Sequence, residues 1–127
     1  MPKATRVPPS NIEAEQSVLG ALLIDKDAVV EVAEFLRPEH FYQEKHGKIF
    51  EAILFLYETR EPVDVVTVGD KLKKNKDFKK VGGASYLADL VNRVPTSAHV
   101  EKYGKIVKDS ATKRELISQA KISRRII

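Results

Sequence analysis

Apolar residues recur three, four and seven positions apart through nearly every long segment of this chain, which directs it toward a packed set of helices. In PPSNIEAEQSVLGALLID, residues Ile12, Val18, Leu19, Leu22 and Leu23 share one side of a helix, while Glu13, Glu15 and Gln16 face elsewhere. Ser10 with Glu13 makes one candidate capping box and Asn11 a second candidate cap, so the helix is expected to begin near Ile12. The early acids suit the positive end of the helix dipole. Gly20 falls mid-helix, where glycine costs about 1 kcal/mol relative to alanine, and this implies the close approach of another backbone.

A second helix is expected from Asp25 or Asp27 as cap, through Val29, Val30, Val32, Ala33, Phe35 and Leu36, to the stop at Pro38. With the first it would form an antiparallel hairpin. The run from Glu44 to Arg60, with Ile49, Phe50, Ile53, Leu54, Leu56 and Tyr57, reads as the longest and most hydrophobic helix of the body and its central core element. In PVDVVTVGDKLKKN the valines favour strand, but Val65, Val68 and Leu72 keep helical spacing and Asp64 after Pro62 is a helix cap. Six lysines between Lys71 and Lys80, followed by Gly82 and Gly83, read as a solvated helix end and a turn. Helical spacing resumes through Tyr86, Leu87, Leu90 and Val91.

Beyond Pro95 the chain reads as one long helix, or as two with a break near Gly104. Val100, Tyr103, Val107, Ala111, Leu116, Ile117 and Ala120 form an apolar stripe along it. The pattern reaches the last residue with no glycine or proline stop, so the chain is expected to be a fragment cut inside a helix. The domain organisation is accordingly a flexible tail over 1–10, a helical domain over 11–95 and a helical arm over 96–127. The fold class is all-α, a compact multi-helix domain followed by the first helix of a helical hairpin arm.

A chain of 127 residues can bury one modest core. It contains no cysteine, which removes disulfides, thiolate catalysis and cysteine-based zinc sites and fits a reducing cytoplasm. No window approaches the roughly 18 apolar residues of a membrane span, and the N-terminus has no export pattern. Charge is uneven: residues 1–99 hold 14 Lys/Arg against 15 Asp/Glu, whereas residues 100–127 hold 8 against 3.

Catalytic signals are weak throughout. Gly47-Lys48 is followed by isoleucine and lacks the earlier glycine of a phosphate-binding loop, so nucleotide hydrolysis by this chain is not supported. The segment PEHFYQEKH offers His40, His46, Glu39 and Glu44, but at the spacing of neither a zinc-protease helix nor a finger; these residues are expected to be caps or surface groups. No G-x-S-x-G elbow surrounds Ser17, Ser85 or Ser97. The lysines from Lys71 to Lys80 support an alternative function, a small basic helical nucleic-acid-binding module, though only Phe78 is interleaved among them for stacking. The apolar stripe on the terminal helix calls more strongly for a protein partner or a second copy, because only part of it can fold back on so small a core.

Taken in order, PPSNIEAEQSVLGALL, FYQEKHGKIFEAI, EPVDVVTVGDKL and VGGASYLADLVNRVPTSAHVEKYGKIV resemble the N-terminal domain of the bacterial DnaB-type replicative DNA helicases. The resemblance runs from about Pro8 to the end and rests most on IEAEQSVLG, GG-x-SYL and VPT-x-A. It implies a non-enzymatic, all-helical collar domain that mediates ring oligomerisation within a hexamer and docks the C-terminal domain of primase. It also implies that ATP and Mg belong to a separate C-terminal motor domain, with no catalytic, cofactor or metal site here. By the same resemblance Glu13 and Tyr86 are candidates for the primase surface, and Leu116, Ile117 and Ile122 for pairing with another subunit or with primase. A helicase loader completes the expected partners; DNA contact is expected to be weak or indirect, and the location cytoplasmic. In DSATKRELISQAKISRR the chain departs from the more apolar, arginine-rich arm pattern of the family.

Overall fold

A computed structural model describes residues 10–94 and 96–126, with side chains through residue 121. Six α-helices follow one another among the described residues: α1 (Ile12–Ile24), α2 (Val29–Ala33), α3 (Glu44–Glu58), α4 (Val65–Lys74), α5 (Gly83–Arg93) and α6 (Val100–Ile126). No strand occurs among them, as an all-α pattern requires. The expectations for the N-terminal tail, for Pro95 and for the side chain of Ile122 lie outside the described residues.

Asn11 resolves the choice of cap for α1: its side chain accepts from the amide of Ala14 at 2.9 Å. Asp64 caps α4 by accepting from Thr67 N while Thr67 Oγ1 accepts from Asp64 N, a reciprocal box that decides the valine-rich segment for helix. The helix at 44–58 forms where the apolar spacing placed it.

Two expectations for the first half give way. The second helix is only five residues long, because residues 26–28 form a 3-10 turn capped by Asp25 and the Arg37 guanidinium closes the far end by donating to Ala33 O at 2.8 Å. Too short to run back along α1, α2 buries Val29 and Val32 toward α6 and α3, and no α1–α2 antiparallel hairpin forms. The central element is α1 rather than α3, since α1 packs against α3, α5 and α6. The reason lies in its composition: Val18, Leu19, Gly20, Ala21, Leu22 and Leu23 are all buried, which only a helix covered on several sides permits.

The core joins Leu19 and Leu22 of α1 to Ile49, Phe50 and Ile53 of α3, Leu72 of α4, and Leu87 and Leu90 of α5. Gly20 has the close neighbour its position implied. A Cβ there would collide with the Leu90 carbonyl and lie 2.9 Å from Val94 Cγ2. Because Gln16 meets Tyr86 one turn earlier, α1 and α5 lie side by side in the same direction.

The last helix is continuous through Gly104, where a Cβ would sit 2.9 Å from Val32 Cγ1. The glycine therefore serves close packing on α2, not a break. At 27 residues α6 is about 40 Å long. Val100 and Val107 are buried in the core, whereas residues 115–121 are exposed. Between them Arg114 donates to His40 O at 2.8 Å and lies 5.3 Å from the centre of the Tyr42 ring, tying the helix to the segment before α3.

Candidate functional site

The chemistry of this domain gathers around a polar chain that crosses three helices. Glu15 on α1 is 1% exposed and His46 on α3 is fully buried, with Glu15 Oε1 2.7 Å from His46 Nδ1. The other ring nitrogen, His46 Nε2, lies 2.6 Å from the hydroxyl of Tyr86 on α5. Gln16 Nε2 donates to that same hydroxyl at 3.2 Å. Glu15 also accepts from the backbone amides of Tyr42 at 2.6 Å and Gln43 at 3.5 Å, so both carboxylate oxygens are used.

Glu15 fixes the direction at its own end of the chain. The Glu15 carboxylate only accepts, so Nδ1–H of His46 donates to it, and Nε2 shares a hydrogen bond with the Tyr86 hydroxyl. Tyr86 O in turn accepts from Gln16. Every buried side-chain polar atom among the described residues is satisfied in this way.

This network overturns two sequence expectations. Glu15 does not face away from the core, and His46 is neither a cap nor a surface group; each is buried because it completes the other's hydrogen bonds, which makes burial tolerable for both. His40, by contrast, is a cap: its Nδ1 accepts from Arg37 N at 2.9 Å. Burial, then the charge of Lys108, lowers the His40 pKa below its ordinary value, with Arg37 and Arg114 adding to the lowering and Glu39 opposing it. His99 meets the Tyr103 ring edge-on at 6.4 Å between centroids. No group of three or more metal-capable side chains occurs among the described residues.

The candidate partner residues divide into two places. Tyr86 is half-buried, with Lys45 Nζ 4.0 Å from its ring centre and the His46 ring stacked beside it at 5.9 Å between centroids. Glu13, one helical turn from Gln16, is exposed and makes no ion pair among the described residues. It borders a cleft of about 270 Å³ with Ser17, Arg93, Tyr103 and Ile106. Leu116 and Ile117 are 61% and 44% exposed and lie about 15 Å farther along α6 than Ile106. Leu116 lines a separate groove of about 610 Å³ with Glu39, His40 and Arg114. Sequence reasoning missed Glu15, Gln16, Lys45 and His46 as supports of Tyr86; an acid inside IEAEQ and a histidine inside EKHG gave no sign of pairing across 31 positions.

Comparison with known proteins places this architecture in the class of replicative-helicase N-terminal domains. The family model described as "DnaB-like helicase N terminal domain" matches residues 7–109. The chain is 47% identical over 115 residues to the replicative DNA helicase DnaB of Geobacillus stearothermophilus, covering 91% of this chain and 25% of that protein. It is equally similar, over the same length, to the replicative DNA helicase DnaC of Bacillus subtilis. The crystal structure of the N-terminal domain of DnaB helicase from Mycobacterium tuberculosis superposes with a TM-score of 0.91 at 41% identity, covering 94% of this chain and 83% of that one. A structure of the N-terminal domain of DnaB helicase from Helicobacter pylori, described together with its interactions with primase, superposes with a TM-score of 0.76 at 28% identity over 88% and 87% of the two chains. The chain belongs to the DnaB-like helicase N-terminal domain family, and it spans about a quarter of the length of the curated relatives it matches. No helix among the described residues is long and apolar enough to cross a membrane.

Proposed function

We propose that this chain is a docking and oligomerisation module of a replicative DNA helicase, and that its main external partner is the C-terminal domain of primase. The observation that carries the reading is the placement of Tyr86. It is a half-buried aromatic ring topped by Lys45 and hydrogen-bonded to Gln16, which lies one helical turn along α1 from the exposed Glu13, an anchor of the kind that protein interfaces favour. Support comes from the family, since the Helicobacter pylori neighbour is described with primase. In the assembled helicase the domain forms part of a collar on a hexameric ring in the cytoplasm. Leu116, Ile117 and Ile122 on the protruding half of α6 pair with another subunit, and a loader is a further partner. Unwinding, with its ATP and Mg, belongs to a C-terminal motor domain.

Isothermal titration of this chain with the C-terminal domain of primase from the same organism tests the proposal. Saturable binding that Tyr86→Ala weakens about tenfold or more is expected. Binding that is unaffected by both Tyr86→Ala and Glu13→Ala would remove this surface from the account.

A further inference from the structure

Tyr86 is fixed at both ends of its side chain. At its base, Gly82 adopts φ +106, and a Cβ at that residue would lie 2.7 Å from Tyr86 Cβ, so the turn before α5 is shaped around the tyrosine. At its tip, the hydroxyl is enclosed by Gln16 Nε2 at 3.2 Å and His46 Nε2 at 2.6 Å. His46 cannot turn away, because Glu15 Oε1 holds its other nitrogen and the ring is fully buried. The Glu15 carboxylate is in turn held by the amides of Tyr42 and Gln43. A hydroxyl so engaged is committed to two partners inside the domain.

We propose that His46, held by Glu15, is the positioning residue of Tyr86, so that a docking partner reads the exposed part of the ring and the Lys45 ammonium resting on it, not the hydroxyl. The proposal rests on the docking function given to Tyr86 above. It also gives the partner's complementary chemistry: an apolar side chain to cover the ring, beside an acidic or carbonyl oxygen for Lys45. A tyrosine released from His46 could take other rotamers, and the docking surface would meet its partner only in a fraction of molecules. The apparent affinity would drop by that fraction.

Two substitutions separate the halves of the imidazole. In His46→Asn the amide occupies the position of Nδ1, keeping Glu15 and releasing Tyr86; in His46→Gln it reaches the position of Nε2, keeping Tyr86 and releasing Glu15. Three measurements are made on the 127-residue chain: circular dichroism for folding, proton NMR for the Tyr86 hydroxyl, and titration with the primase C-terminal domain. The hydroxyl proton is expected as a slowly exchanging resonance in the parent chain and in His46→Gln, and to be lost in His46→Asn. Docking is expected to weaken about five- to tenfold in His46→Asn, the equivalent of one lost hydrogen bond, and to persist in His46→Gln.

Tyr86→Phe keeps the ring and the core and serves if either histidine variant fails to fold. It is expected to weaken docking by the same factor, with no additional loss when His46→Asn is added to it. A folded His46→Asn or Tyr86→Phe that docks like the parent, while Tyr86→Ala does not, would overturn the positioning role and leave the docking surface standing. Docking untouched by Tyr86→Ala would overturn both. Equal losses from His46→Asn in the parent chain and in the Tyr86→Phe variant would show that the histidine acts through the core alone, against the proposal.

Discussion

Glu15 and His46 meet at 2.7 Å in the interior, 31 positions apart in sequence, and the pair fastens α1 to α3 and, through Tyr86, to α5. Removing the acid leaves the imidazole N–H and the amides of Tyr42 and Gln43 without an acceptor in a site that water does not reach. Glu15→Ala is expected to cost about 3 kcal/mol or more. Thermal unfolding should show a midpoint roughly 10 °C lower, and Glu15→Gln, which keeps one acceptor oxygen, a smaller drop. A midpoint unchanged by Glu15→Ala would mean that the pair adds nothing to the fold.

Gly20 and Leu90 place two helix backbones in contact. Alanine would gain about 1 kcal/mol in helix propensity, yet its methyl group would overlap a carbonyl that belongs to rigid helix backbone. Overpacking of this kind costs up to about 3 kcal/mol. Gly20→Ala is therefore expected to lower stability by about 2 kcal/mol in denaturant unfolding; a stabilised variant would contradict the observed approach.

His40 sets a pH dependence. Burial and the nearby Lys108 hold its folded pKa below the value of about 6.5 in the unfolded chain. Between the two values the unfolded chain takes up a proton that the folded one refuses. The contribution to stability is therefore complete above about pH 6.5 and is lost as pH falls toward the folded pKa. Melting curves from about pH 7.5 down to about 5.5 should fall more steeply for the parent than for His40→Asn, which retains an acceptor for the Arg37 amide. Parallel curves would contradict the shift.

Leu116 and Ile117 project from α6 without core partners, so replacing both with serine should change the melting midpoint little, within about 0.5 kcal/mol. Self-association, followed by sedimentation, is expected to weaken. Loss of folding with unchanged association would place these residues in the core and refute the pairing role.

The lysines from Lys71 to Lys80 are held partly within the domain. Lys71 Nζ lies 3.7 Å from the Phe55 ring centre, Lys73 covers Phe78 at 4.9 Å, and Lys74 and Lys80 pair with Asp70 and Asp77. A labelled single-stranded oligonucleotide is expected to bind weakly and to be released by moderate salt. Tight binding abolished by glutamine at Lys73, Lys74 and Lys79 would favour the nucleic-acid module instead.

Much of the fold was legible because its determinants are local. The spacing of Ile49, Phe50, Ile53 and Leu56 specifies a buried helix face, Asp64 marks the start of α4, and Gly20 announces a close neighbour. The shortening of α2 was hidden because its end is set by Arg37 reaching back to Ala33 and by packing on α6. Tyr86 and Glu13 came from family resemblance, and nothing in the residues around them indicated what holds the tyrosine. Glu15 and His46 look like ordinary surface helix residues, since partners brought together by tertiary folding leave no periodic trace.

Amide NMR spectra of the labelled chain, recorded as the C-terminal domain of primase is added, test the central claim most directly. Saturable shifts grouped at Glu13, Gln16, Lys45 and Tyr86 are the predicted result. Shifts confined to the lysine-rich turn between α4 and α5, or none at saturating primase, would contradict it.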